Sequence, residues 1–573
     1  MKSTEAHWGG TVTFLLFLFI FLPLLAVLIN VVFPGFFFGK LEYGGFGLIT
    51  EIFHRPLWRQ SLWNSVLLAL GSATFGTMIG GALATVRARW NFAAGRLLDT
   101  AAWLLLIAPS FMIAQGWVLF ASADGLVHQW LGWTWVTSFI FQPSGLVFVM
   151  ALSKFPLAYL AIVSATEWNV RQFGQAARLN GAKPFTVWRT VDFPLALPSF
   201  LAGWTLVFMD TIGDFGLPAA LATVYKFPTL TYSIYSAIYQ SPVRFDMAGV
   251  LAFYLVILLA LAMALLFFAL RRSRFDFLNA KAVRTVREKP RHAWAYNIVI
   301  GGFLLICLGI PIGTSAAVSL LKQMGEGLTA GNLTLDHYSD LFTGAAGDHR
   351  LLEYVEGLYH SLTIAAAAAV FSMLIGFVTA YVLSFTESRF KSALQLFSVI
   401  SLAVPGVVLG IGYIFIWNQK WLEPLGLHLY GTPALLVIAG IAGAIPYAVR
   451  VQMGSFGALS GTMLKAAAIQ GAGVFDRMRH IVLPLVRQSL LMATLASFGT
   501  SIFDLALASM LKPANYSLMP LVIDRAFEFS RYGYATAATV VSCLVVVLLI
   551  VALQATGRWV FRRLDGKRNQ ELV

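Results

Sequence analysis

Charge is scarce in this chain of 573 residues: 12% are Asp, Glu, Lys or Arg, against about a quarter in soluble domains. Cysteine is scarcer, with Cys307 and Cys543 the whole complement, both inside apolar runs. They make no zinc, iron–sulfur or redox motif and read as small buried hydrophobes. The nine histidines, among them His54, His128, His337, His349 and His428, show no ligand spacing, so no tight metal site is expected. A phosphate-binding loop is also lacking: Gly39-Lys40 is followed by Leu41, and the upstream spacing fails. The chain therefore cannot hydrolyse ATP by that route. Nor is there a polar cluster of activated groups of the kind a membrane-embedded transferase needs.

Apolar residues are what the chain has: 58% are hydrophobic and the mean hydropathy is +0.77. Runs of roughly 20 apolar residues recur, each long enough to cross the hydrocarbon core as a helix. Lipid tolerates only helices or closed barrels, and continuous runs rather than ten-residue alternation select helices. The expected fold class is an all-α polytopic membrane protein with about twelve transmembrane helices. The third of these is expected at roughly 99–121 and the ninth at roughly 393–417. The apolar run at the N-terminus exceeds a signal-peptide core and lacks a clear small-x-small cleavage site, so it reads as a retained first helix.

The net charge of +14 sits in loops beside the spans, which argues for positive-inside bias and against nucleic acid. Arg271, Arg272, Arg274, Lys281, Arg284, Arg287, Lys289 and Arg291 crowd the middle of the chain, and Arg558, Arg562, Arg563, Lys567 and Arg568 its tail. The segment 322–357 is acidic instead, with Glu326, Asp336, Asp340, Asp348, Glu353 and Glu356. The expectation is a bacterial inner (plasma) membrane protein with both termini and the central linker in the cytoplasm.

One short pattern occurs twice. Gln175-Ala-Ala-Arg-Leu-Asn-Gly181 is followed by Val191-Asp-Phe-Pro194, and 290 positions later Lys465-Ala-Ala-Ala-Ile-Gln-Gly471 is followed by Ile481-Val-Leu-Pro484. Pro156 pairs with Pro446 and Asp214 with Asp504 at that spacing, while Thr74–Gly80 matches Val370–Gly376 at 296. Three domains follow: a six-helix half at 1–270 with its motif segment at 168–193, a basic linker at 271–294, and a second half at 295–573 with its motif segment at 458–483. Six spans precede the linker and six follow it, so the repeats are parallel, and a pathway between the halves is expected.

The repeated loop resembles the Glu-Ala-Ala signature of binding-protein-dependent ABC importer permeases, carried here by Ala176, Ala177, Gly181 and Pro194 and by Ala466, Ala467, Gly471, Ile481, Leu483 and Pro484. The leading Glu of that signature is Gln175 in one copy and Lys465 in the other, so any acidic contact made there is absent and the two surfaces differ in charge. The resemblance implies the type I importer permease fold in a fused two-half form. It also implies coupling helices that dock on an ABC ATPase homodimer, which binds ATP and Mg; no cofactor is expected on this chain. A periplasmic or lipid-tethered binding protein would dock on the outer loops. Among fused permeases the whole chain, with two six-span halves in one polypeptide, looks most like the ferric-iron group, and Asp214-Phe-Gly-Leu-Pro218 is a local feature associated with that group, less specific than the repeated motif. Related permeases carry thiamine, phosphonates, sugar phosphates or polyamines. A secondary transporter driven by an ion gradient is the rival class, and it would not need a matched docking loop in each half.

Ionisable residues within spans are candidates for function. Asp210, Asp214 and Asp504 are read as a weak cation path or, alternatively, as caps of the following helices. Lys154 could attract an anion, snorkel to an interface or pair with Asp210.

Overall fold

The computed structural model describes residues 2–39, 43–165, 171–272, 287–343, 353–401, 404–457 and 459–571. The described residues are helical throughout, with two isolated bridges and no strand. Eleven helices are long and apolar enough to cross a membrane, among them Pro56–Arg89, Pro143–Val163, Phe185–Gly213, Glu353–Phe385, Pro433–Gly457 and Val474–Ile502. The run expected at 393–417 is instead two short helices, Lys391–Ile400 and Gly406–Trp417. Pro405 precedes the second, and its ring disfavours helical backbone at the residue before it. The run at 99–121 breaks the same way at Pro109, between Ala93–Ile107 and Ser110–Ala121.

Packing divides the chain into two units. One comprises Met1–Ile29, Phe37–Lys40 and Thr334–Val573; the other comprises Asn30–Phe36 and Leu41–Leu333. The helix that opens each sequence half thus belongs to the unit built mainly from the other half. A glycine makes each attachment possible. In one unit Gly412 lies against the Pro23 backbone, where a Cβ would collide with the Pro23 carbonyl, and the Tyr413 hydroxyl donates to Phe19 O at 2.6 Å. In the other, Gly116 lies against the Pro311 carbonyl in the same manner.

Inside each unit a long helix crosses a proline-containing one at close range. Gly80 of Pro56–Arg89 faces Ala158, and Gly376 of Glu353–Phe385 faces Ala448, with room for no larger side chain. Small residues let backbones approach where lipid offers no hydrophobic drive between helices. Pro156 and Pro446 stand inside the partner helices.

Candidate functional site

Each repeated motif folds as a helical hairpin. Its first arm is Arg171–Leu179 in one unit and Gly461–Ile469 in the other. Gly181 N donates to Arg178 O at 3.0 Å and Ala182 N to Ala177 O at 3.1 Å; Gly471 N donates to Ala468 O at 3.1 Å and Ala472 N to Ala467 O at 3.0 Å. This paired bonding satisfies the last helical carbonyls and needs a left-handed residue after the cap. Gly181 supplies it at φ 84° and Gly471 at φ 88°. A four-residue helix follows, Pro184–Val187 or Val474–Arg477, then a π turn, Trp188–Asp192 or Met478–Val482. Pro194 and Pro484, which have no N–H to donate, stand just past these π turns inside the continuous helices Phe185–Gly213 and Val474–Ile502. Beside them Phe193 N donates to Trp188 O and Leu483 N to Met478 O, the wide spacing of a π bulge.

Ala176, Lys465 and Ala466 are exposed, and Ala177 and Ala467 are half-buried. Gln175 lies in its helix, but its side chain falls outside the described residues. Sequence reasoning missed the apolar tips. Leu179 is 90% exposed and Ile469, its counterpart at 290, is 86% exposed. Phe185 and Phe475, again 290 apart, are also exposed. The available signal was an apolar residue two positions before each glycine, in loops that are otherwise polar. The same exposed apolar pair thus recurs on both hairpins.

A second cluster lies in the unit that carries the first motif. Lys154 Nζ sits 2.6 Å from Asp210 Oδ2 and 2.6 Å from Asp214 Oδ2. Lys154 and Asp214 are nearly buried, while Asp210 is 39% exposed. Asp214 Oδ1 also accepts from Ser110 Oγ at 2.9 Å and from Leu217 N at 3.0 Å. That second bond caps the helix Gly216–Leu221. In the other unit Asp504 caps Leu505–Leu511 through Leu507 N at 2.9 Å. It is otherwise differently placed: the counterparts of Lys154, Asp210 and Ser110 are Ala444, Thr500 and Gly406. Lys154 thus pairs with two aspartates rather than reaching an interface. Among the described residues no three His, Cys, Asp or Glu side chains gather as a metal site.

Each of the two helical units presents one glycine-turned hairpin beside a bundle of apolar helices. Residues 372–566 match the family model described as the binding-protein-dependent transport system inner membrane component. The molybdenum transport system permease protein ModB of Escherichia coli is 33% identical over 185 residues, which is 31% of this chain and 78% of that protein. The chain belongs to this family and is the permease of an ABC importer. The ferric transport system permease protein FbpB of Actinobacillus pleuropneumoniae is 23% identical over 555 residues, 95% of this chain and 76% of that protein. The putative 2-aminoethylphosphonate transport system permease protein PhnV of Salmonella choleraesuis is 23% identical over 270 residues, 47% of this chain and 97% of that protein. A relative that is spanned almost whole by half of this chain is what two fused permease halves lead one to expect.

Proposed function

We propose that each hairpin docks on one subunit of a separate ATPase homodimer at the cytoplasmic face, and that the cargo is ferric iron. The observation that carries the docking is the exposed apolar tip, Leu179 or Ile469, held by the same glycine turn in both units. A groove that accepts such a side chain removes roughly 1.5–3 kcal/mol worth of apolar surface from water per residue. Alanines on the same arm keep the backbone low enough for close contact. The ATPase binds ATP and Mg; its closure moves the hairpins and turns the permease from one access state to the other, and hydrolysis returns it. A periplasmic or lipid-tethered binding protein delivers the cargo to the outer loops.

Two observations favour a cation. A relative aligned over 95% of this chain is a ferric transport permease. The Lys154 cluster has two carboxylates to one ammonium, so it does not attract an anion. Asp210, the exposed member, is the oxygen donor that a passing hard cation meets. Sealed vesicles holding the permease, its ATPase and its binding protein test this. Iron uptake should require ATP and survive ionophores; uptake of aminoethylphosphonate or molybdate in place of iron would reassign the cargo, and collapse with an ionophore would return the chain to the secondary transporters.

A further inference from the structure

A cavity of about 480 Å³ opens beside the first hairpin, within the unit that carries it. Gly81, Thr85 and Arg89 at the end of Pro56–Arg89 form one wall, and Gly174 and Arg178 of the hairpin arm form another. Trp188 and Asp192 of the π turn, Phe193 just after it, Phe200 and Glu288 also line it. Glu288 is held there through its backbone: its N–H donates to Arg89 O at 3.2 Å, and its carbonyl accepts from Asn91 N at 2.7 Å.

The fold does not require this space. At the repeat spacing of 296, Gly81, Thr85 and Arg89 correspond to Phe377, Tyr381 and Phe385. At 290, Gly174 and Asp192 correspond to Leu464 and Val482. Those five side chains pack together in one apolar cluster of the other unit, which Trp8 also joins. One hairpin therefore rests on a solid core and the other on a hollow. Gly174 is part of the hollow, since a Cβ there would stand 2.6 Å from Asp192 Oδ1. That oxygen is buried and has no hydrogen-bond partner.

We infer that this cavity is a binding site for a zwitterionic phospholipid with a primary ammonium, of the phosphatidylethanolamine class. The cavity lies toward the ends of two helices long and apolar enough to cross a membrane, Pro56–Arg89 and Phe185–Gly213, and the headgroup layer flanks the hydrocarbon core that such helices span. Its volume falls in the usual range for small-molecule sites, about 300–1,000 Å³. Arg89 and Arg178 supply guanidinium donors for a phosphate. Asp192, with its unpartnered Oδ1, supplies an acceptor for the ammonium, and the charged residues of the lining, Arg89, Arg178, Asp192 and Glu288, balance to neutrality, which complements a zwitterion rather than an anion. Phe193, Ala196 and Phe200 offer an apolar wall to the acyl chains. A lipid wedged here bears on the hairpin arm at Gly174 and Arg178, and so makes one docking element sensitive to membrane composition while its twin is not.

The test is the lipid retained by the full-length protein through a delipidating detergent wash, measured by native mass spectrometry and by lipid extraction. The double variant Gly174→Leu with Asp192→Val installs the residues of the solid unit and should fill the hollow. Arg178→Ala, on the exposed arm, removes a phosphate donor without touching the core. Wild type should keep phosphatidylethanolamine, and each variant should retain about tenfold less, a loss of one decade in affinity. Rebinding should favour phosphatidylethanolamine over phosphatidylcholine and phosphatidylglycerol, with glycerophosphate unable to compete. No lipid retained by wild type, equal retention by both variants, or preference for phosphatidylglycerol or free glycerophosphate each overturns the site.

Discussion

Lys154 Nζ lies 2.6 Å from Asp214 Oδ2, and the same lysine holds Asp210 at the same distance, so a single ammonium ties one membrane helix to the end of another. The other unit lacks this tie, because Ala444 stands where the lysine would be. Asp214 and Asp504 are therefore alike as helix caps and unlike as charges.

Replacement exposes the difference. Lys154→Met leaves Asp214 buried beside Asp210 without a cation, and uncompensated buried charge costs about 3–5 kcal/mol. Asp504→Asn keeps the cap to Leu507, since an amide oxygen accepts the same bond, and removes no ion pair. Thermal unfolding in detergent should show a large drop in midpoint for the first and almost none for the second. Equal drops would mean the ion pairs contribute nothing.

Transport separates the two aspartates of the cluster. Asp210→Asn removes the exposed carboxylate, while Lys154 keeps Asp214 as its partner. Iron uptake should fall while basal ATP hydrolysis by the assembled importer persists. Unchanged iron uptake in Asp210→Asn removes the carboxylate from the cargo path.

The crossed first helices rest on two glycines. Gly412→Ala places a methyl group into the Pro23 carbonyl, and overpacking of this kind typically costs about 1–3 kcal/mol. Gly116→Ala should cost a similar amount against Pro311, whereas Ala at Gly313, which has open space around it, should be neutral. Folded yield and melting temperature read the order directly.

Much of this architecture was legible in the chain. Continuous apolar runs announced membrane helices, and the repeated motif announced a matching hairpin in each half of the sequence. The glycine turns were legible too, because Gly181 and Gly471 end arms that otherwise favour helix. Three things were not. The breaks at Pro109 and Pro405 were hidden in runs of unbroken hydropathy, where composition argues for one long span and only the proline ring argues against it. The exchange of the first helices depends on Gly116 and Gly412 meeting prolines nearly 200 or nearly 400 positions away, and no local pattern reports that. The hollow beside the first hairpin is visible only when Gly174 and Asp192 are set against Leu464 and Val482 in space.

The hairpin turns themselves can be strained. Gly181→Val and Gly471→Val force a β-branched residue into left-handed backbone, which costs about 1–2 kcal/mol or more at each turn. Nothing stands near either Cβ position, so the effect is on the turn and not on packing. Membrane insertion should be intact and ATPase association weakened in each single variant and lost in the double. Full transport by the double variant would remove the turns from the coupling machinery.

The most direct measurement is cross-linking at the tips. Leu179→Cys and Ile469→Cys, each made singly in a background where Cys307 and Cys543 are serine, place a thiol at the most exposed apolar point of each hairpin. With the ATPase present, a short bifunctional reagent should join either thiol to the ATPase subunit, more strongly at one stage of the ATP cycle than another. In intact cells neither thiol should react with an impermeant reagent added outside. Cross-links at both tips are the result expected of two docking hairpins; absence of any cross-link, or labelling of the tips from outside, would contradict it.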